Sequence, residues 1–188
     1  MYLLMVAALA LAGPPTEGWE TLLDDDVLIR CSQAGPQPWC RASGDIHASA
    51  DQVYALLDDI DGHTRIFERI AVSVEYAPGY AHQVVRLPFP LESRDYLVHL
   101  TRVMDGADHV IRFDSISSAQ VPAQGVRLDH FAGEFRVHPL GPDRVRFSYL
   151  WEAELGADVP SFALPVAWQA QGSELVRGLR AAAEGQGG

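Results

Sequence analysis

Seven histidines are the residues whose type most readily does chemistry: His47, His63, His82, His99, His109, His130 and His138. None stands in the H-x-x-x-H or H-E-x-x-H spacing that sets two imidazoles on one helix face around a metal. Ser117-Ser118 and Ser148 lack the G-x-S-x-G turn that exposes a nucleophilic hydroxyl. Cys31 and Cys40 are the only cysteines, and neither carries a catalytic signature or the paired histidines of a zinc site. All 14 basic residues are arginine, so Schiff-base and amine-nucleophile chemistry is excluded. The acidic run Asp24-Asp25-Asp26 lacks alternating oxygens at calcium-ligand spacing and reads as the end of a helix on a wet face. No metal and no cofactor is expected. The net charge of −11 opposes binding of phosphate backbones and tight electrostatic docking to anionic membranes.

What remains is a set of side chains suited to holding an apolar molecule. On the run Arg94–Val103, the even positions Arg94, Tyr96, Val98, Leu100 and Arg102 share one face. If that face is inward, Arg94 is either a polar anchor at a pocket mouth or a structural arginine satisfying carbonyls or an acid. Asp95 points the other way and cannot simply pair with it. Phe113, Phe135, Phe147, Tyr149 and Trp151 form an expected inward aromatic set, and Trp168 faces it from the last helix. Each of these reads either as pocket lining or as plain core.

The elements that must position these residues follow from periodicity. Residues 16–25 read as a short amphipathic helix with Trp19, Leu22 and Leu23 on one face. Val27–Gln33 and Pro38–His47 read as a hairpin about the turn Ala34-Gly35-Pro36-Gln37. That register sets Cys31 opposite Cys40, with Cβ atoms roughly 4.5–5.5 Å apart. Two readings stand: a disulfide if the protein is exported, or two buried thiols. Ser49 and Gln52 form a capping-box pattern ahead of Val53, Leu56, Leu57 and Ile60. Asp61-Gly62 ends that helix, and a second short turn covers about 63–69. Period two then takes over in Ala71–Tyr76, His82–Leu87, Arg94–Val103, Val110–Ser117, Val126–Leu140 and Arg144–Leu155. Residues 161–184 read as one long helix, with Phe162, Leu164, Trp168, Leu175, Val176 and Leu179 near helical spacing. The predicted class is α+β: a curved antiparallel sheet around a long C-terminal helix, with two short helices near the N-terminus. A bent sheet gripping one helix encloses space that side chains need not fill, and such concave apolar sites usually hold ligands.

Four stretches then resemble the StAR-related lipid-transfer (START) domain of the SRPBCC helix-grip superfamily. They are Trp19 with Leu22, Asp26 and Val27; Ala50–Asp58; Pro88-Phe89-Pro90-Leu91 with Arg94-Asp95-Tyr96; and Gly133-Glu134-Phe135 with His138-Pro139-Leu140, followed by Tyr149 and Val159-Pro160. The likeness covers about residues 17–184, expected to form one lipid-binding domain. It implies a tunnel between sheet and C-terminal helix, and a lid loop between about Ser118 and Gly125 with Val121 and Pro122 at its tip. It also implies a non-enzymatic carrier of a lipid or other apolar small molecule, with transient membrane contact, no nucleic acid and a monomeric state. Some sterol-carrying members place a pocket arginine where this chain has Leu100; Arg102 could substitute. The same superfamily contains cyclases and aromatases, so the alternative is an enzyme of cyclase/aromatase or hydrolase type using Arg94, Arg102, Ser115 and His130.

The first residues form an apolar run from Tyr2 to Ala12, ending in the small-x-small pattern Ala10-Leu11-Ala12. The run has the length of a signal-peptide core and is too short to span a bilayer, although no basic residue precedes it. Residues 1–13 are therefore expected to be a signal peptide and the protein periplasmic or extracellular; without cleavage it is a cytoplasmic protein with a hydrophobic extension.

Overall fold

The structure is a computed structural model that describes residues 14–35, 37–87, 91–118, 120–152 and 159–185; the expected signal peptide lies outside them. Three strands open the chain: β1 (Trp19–Asp24), β2 (Leu28–Ser32) and β3 (Trp39–Ile46). Helices α1 (Ala50–Asp58) and α2 (His63–Ile66) follow, joined by a 3-10 turn. Then come β4 (Ile70–Ala77), β5 (Tyr80–Val85), β6 (Arg94–Asp105), β7 (Asp108–Ser115), β8 (Val126–Arg127), β9 (Ala132–Gly141) and β10 (Arg144–Glu152). A 3-10 turn at Ser161–Ala163 leads into α3 (Leu164–Gly185). The sheet order is β1-β2-β3-β10-β9-β7-β6-β5-β4, all antiparallel, with β8 lying parallel beside β6.

The expected opening helix is instead the edge strand β1, paired with β2. The register shifts between Thr21 and Leu23, so the neighbours Leu22 and Leu23 are both half-buried against the core. A bulge of this kind turns two adjacent side chains one way and imitates helical spacing in the sequence. The expected strand Val126–Leu140 is also divided. Val126–Arg127 pairs with Arg94–Asp95, and the chain turns through Asp129 before β9 begins at Ala132.

Ser49 caps α1 as a capping box: its hydroxyl accepts from the Gln52 N–H at 3.3 Å, and Gln52 Oε1 accepts from the Ser49 N–H at 3.0 Å. Along β10, Val145, Phe147, Tyr149 and Trp151 are buried on the inner face while Arg144 and Arg146 stay exposed. The alternation fails at the end of the strand, where Leu150 joins Trp39 and Ala132 in a small outer cluster that also takes in Trp19. Cys31 and Cys40 are register partners with Cα atoms 4.1 Å apart and form a disulfide.

Helix α3 buries Trp168, Gly172, Val176, Leu179 and Ala183, a stripe recurring every three or four residues. It packs chiefly on β3 and its neighbours. Two glycines permit the approach. A Cβ on Gly44 would come within 2.7 Å of Val176 Cγ1, and one on Gly172 within 2.9 Å of the Ala42 methyl. Phe162, expected on the buried stripe, falls in the turn before α3 and is 84% exposed. Among the described residues no helix is long and apolar enough to cross a membrane.

Candidate functional site

Away from β2 and β3 the helix stands off the sheet, and a cavity of about 490 Å³ lies between them. Its floor is the inner face of the other half of the sheet: Ala81 and Val85 from β5, Tyr96, Val98 and Leu100 from β6, Phe113 from β7, Phe135 from β9 and Tyr149 from β10. Alternate residues point inward because side chains alternate along a strand. The roof is α3 and its leading turn, through Phe162, Val166, Ala167, Ala170, Gln171 and Leu175. Ile60, His63 and Phe67 from the α1–α2 region, with Leu91, Phe131 and Val159 from the loops, complete the lining. Phe162 and Val166 line the cavity yet are 84% and 68% exposed, so they mark its mouth.

The aromatic floor is continuous. Phe113 lies 5.2 Å from Phe135 and 5.1 Å from Phe131, between ring centroids, and Phe135 lies 5.2 Å from Tyr149. Such tilted and offset contacts fix ring positions better than size alone would.

The polar groups on this wall differ in what they still offer. His63 is fully enclosed: Nε2–H donates to the Leu57 carbonyl at 2.9 Å, and Nδ1 accepts from Gln83 at 3.0 Å. Burial pushes this imidazole below its ordinary pKa, against the Leu57 hydrogen bond and the Asp59 charge, so it is neutral. Gln83 gives its other amide hydrogen to Ser73 Oγ at 2.9 Å. At the wall beside α3, Arg69 Nε meets Glu174 Oε2 at 2.7 Å, and the Arg69 backbone N–H donates to Glu174 Oε1 at 2.9 Å. Tyr149 Oη accepts from Gln171 Nε2 at 3.1 Å. Burial raises the Tyr149 and Tyr96 phenols well above their ordinary values; the nearby Tyr96 phenol adds to the effect at Tyr149, and the Arg94 charge opposes it at Tyr96. Both are protonated donors. Among the described residues no group accepts either hydroxyl proton.

Of the residues singled out from the sequence, the fold brings Tyr96, Val98, Leu100, Phe113, Phe135 and Tyr149 together around the cavity. Phe147, Trp151 and Trp168 are buried but do not line it. Trp151 stacks on Tyr149 with centroids 4.4 Å apart and reaches the close approach at Gly172, so it lies under the tightly packed part of α3. Arg94 is fully buried on the Tyr96 face and donates from Nη1 to the Glu92 carbonyl at 2.8 Å, outside the lining. Arg102, two residues beyond Leu100, is held by Asp58 Oδ1 at the end of α1 and by Glu75 at 2.9 Å. Ser115 Oγ donates to the Asp129 carbonyl at 2.8 Å, and His130 is exposed. The four polar residues of the enzyme alternative are therefore not gathered at one point. Val121 and Pro122 do not line the cavity, and the Val121 carbonyl accepts from Arg127 Nη2 at 3.2 Å.

That last bond belongs to a junction the sequence reasoning passed over. Asp95, with its side chain wholly buried, accepts from His82 Nε2 at 3.0 Å, from the Gln124 N–H at 2.7 Å and from Arg127 Nε at 2.5 Å. Burial alone would raise this carboxyl, but those three donors outweigh it and hold it below the usual carboxylate range. Asp95 thus fastens the 120–127 segment to β5 and β6. Gln83 and Gln171 were also overlooked. Both were findable: Gln83 shares the inward parity of Ala81 and Val85, and Gln171 stands three residues after Trp168 and four before Leu175. Among the described residues there is no group of three or more metal-ligating side chains.

No family model matches the chain. An uncharacterized protein of Pseudomonas aeruginosa is 25% identical over 194 residues, covering 98% of this chain and 96% of the relative. Among solved structures, the STAR-related lipid transfer protein of Xanthomonas axonopodis superposes with a TM-score of 0.76 at 20% identity, over 89% of this chain and 99% of that one. Human StAR-related lipid transfer protein 5 gives 0.77 at 14% identity, over 93% and 90%. The ZhuI aromatase/cyclase of a Streptomyces species gives 0.54 at 20% identity, over 78% and 93%. A large curved antiparallel sheet closed by a long C-terminal helix, shared across these proteins, gives this chain the helix-grip fold of the START and SRPBCC proteins.

Proposed function

We propose that this protein binds one lipid-like apolar molecule in the space between sheet and α3 and carries it through water, without catalysing a reaction. The observation that carries the reading is the cavity itself: about 490 Å³, walled by aliphatic and aromatic side chains, with its few polar groups spaced along the wall. A pocket of about 300–1,000 Å³ with that lining is the usual site of a small ligand. Affinity would come from removing apolar surface from water, at roughly 25 cal/mol per Å². The likeness to lipid-transfer proteins supports the same class of ligand. The ligand contacts are Tyr96, Val98, Leu100, Phe113, Phe135 and Tyr149, and α3 with its leading turn, exposed at Phe162 and Val166, parts to admit the guest. The unit is residues 17–184, acting as a monomer with brief membrane contact and no nucleic acid. The Cys31–Cys40 disulfide fits an oxidising compartment, and export from the cytoplasm is part of the proposal.

The test is transfer of a fluorescent lipid from donor to acceptor vesicles. The carrier reading expects the protein to accelerate transfer in proportion to its concentration. Turnover of an acyl or polyketide-like substrate, lost on Arg94→Ala, would replace it with the cyclase reading.

A further inference from the structure

The polar capacity left open inside the cavity is uneven, and that unevenness describes a ligand end. His63 spends both ring nitrogens on Leu57 and Gln83, and Gln83 spends both amide hydrogens on His63 and Ser73. The Arg69 side chain and the Glu174 carboxylate are paired with each other. The Tyr149–Gln171 pair is different. Tyr149 is 3% exposed and receives a hydrogen from Gln171, yet among the described residues its own proton has no acceptor. Tyr96, 6% exposed, makes no hydrogen bond with any described residue through its hydroxyl. Both tyrosines line the cavity, so each hydroxyl faces apolar space with no acceptor for its proton among the described residues and is open to a partner that enters with the guest.

We propose that the guest ends in a single uncharged oxygen, a hydroxyl or a carbonyl, received by the O–H groups of Tyr149 and Tyr96 beside the Gln171 amide. This rests on the carrier reading and deepens it. One oxygen with two lone pairs accepts from two phenols. If it is a hydroxyl, its own proton goes to the Gln171 carbonyl oxygen, so a hydroxyl completes the set and a carbonyl nearly does. An ionised end fits poorly. A carboxylate or phosphate brought in from water needs a compensating cation, and Arg69, the one arginine among the described residues that line the wall, is already paired with Glu174. The ligand class is a long hydrocarbon carrying one alcohol or ketone oxygen, not a fatty acid or a phospholipid.

The experiment uses diphenylhexatriene, a fluorescent hydrocarbon without oxygen, as the occupant to be displaced. Competitors are hexadecanol and hexadecanoate at about pH 8, where the carboxyl is ionised. The expected result is displacement by the alcohol at a concentration at least tenfold below that of the carboxylate. In Tyr149→Phe the ratio of alcohol to hydrocarbon affinity falls about tenfold, as for the loss of one buried hydrogen bond; Tyr96→Phe, which keeps the Tyr149–Gln171 pair, lowers it in the same direction. Equal or better competition by hexadecanoate, or an unchanged ratio in both variants, overturns the proposal. If diphenylhexatriene itself does not bind, the carrier reading has failed, a result distinct from either of those.

Discussion

Helix α3 meets two halves of one sheet in two different ways. Over β2, β3 and β10 it sits close, because Gly44 and Gly172 remove the side chains that would hold it off. Over β5, β6, β7 and β9 it stands away, and about 490 Å³ opens between Leu100, Phe113 and Phe135 below and Ala167, Ala170 and Gln171 above. Both halves are apolar and aromatic. The difference lies in backbone approach, not hydrophobicity: the packed half anchors the helix so that the other half stays hollow without collapsing. Interiors close-pack wherever the backbone allows, so a stable void needs such an anchor.

Substitutions should affect the halves differently. The largest effect is expected for Trp151→Ala in the packed half, about 3–5 kcal/mol off the unfolding free energy in a denaturant titration. Leu100→Ala, whose side chain already borders empty space, should cost at most about 2 kcal/mol, the low end for leucine truncation. If the two proved equally costly, the distinction between the halves would be wrong.

The disulfide ties the β2–β3 hairpin of the packed half. For a loop with a sequence separation of 9, joint replacement of Cys31 and Cys40 by serine should cost about 2–3 kcal/mol. Hydrocarbon binding should survive at temperatures where the protein stays folded, as thermal melts and probe titration on one sample would show.

Filling the hollow half should do the reverse. Ala170→Trp places an indole in the cavity; stability should change by no more than about 1 kcal/mol, against the 1–3 typical of overpacking a full core, while affinity for an apolar probe falls at least tenfold.

The smallest expected effect is on pH dependence. His63 sits in the cavity wall with its pKa lowered by burial. Below its unfolded value of about 6.5 the unfolded chain binds a proton that the folded chain refuses. The contribution of His63 is therefore complete above that pH and lost as the pH falls toward the folded value. His63→Gln should flatten the fall of stability as the pH drops below about 6.5, measured by unfolding at a series of pH values; an unchanged slope would mean that His63 is not held neutral.

The sequence carried the parts of this arrangement that depend on local periodicity. The alternation in β10, the Ser49–Gln52 cap and the pairing of Cys31 with Cys40 were all legible because each is set by residues near one another in the chain. Strand β1 was not, since a bulge turned Leu22 and Leu23 the same way and only its pairing with β2 separates that from a helix. The inward face of β6 was readable from parity, but where along it the cavity ends was not: Leu100 lines the hollow, and Arg102 on the same face meets Asp58 and Glu75. Nothing local marks Phe147 and Trp151 as core and Tyr149 between them as wall. That division depends on how near α3 comes, and so on Gly44 and Gly172, more than a hundred residues apart in the chain.

The most direct test of the hollow half is native mass spectrometry of the purified protein, followed by organic extraction. The account predicts one apolar molecule per chain, released intact by the solvent. A chain that flies at its bare mass, and that also fails to take up an apolar fluorophore supplied in excess, would contradict it.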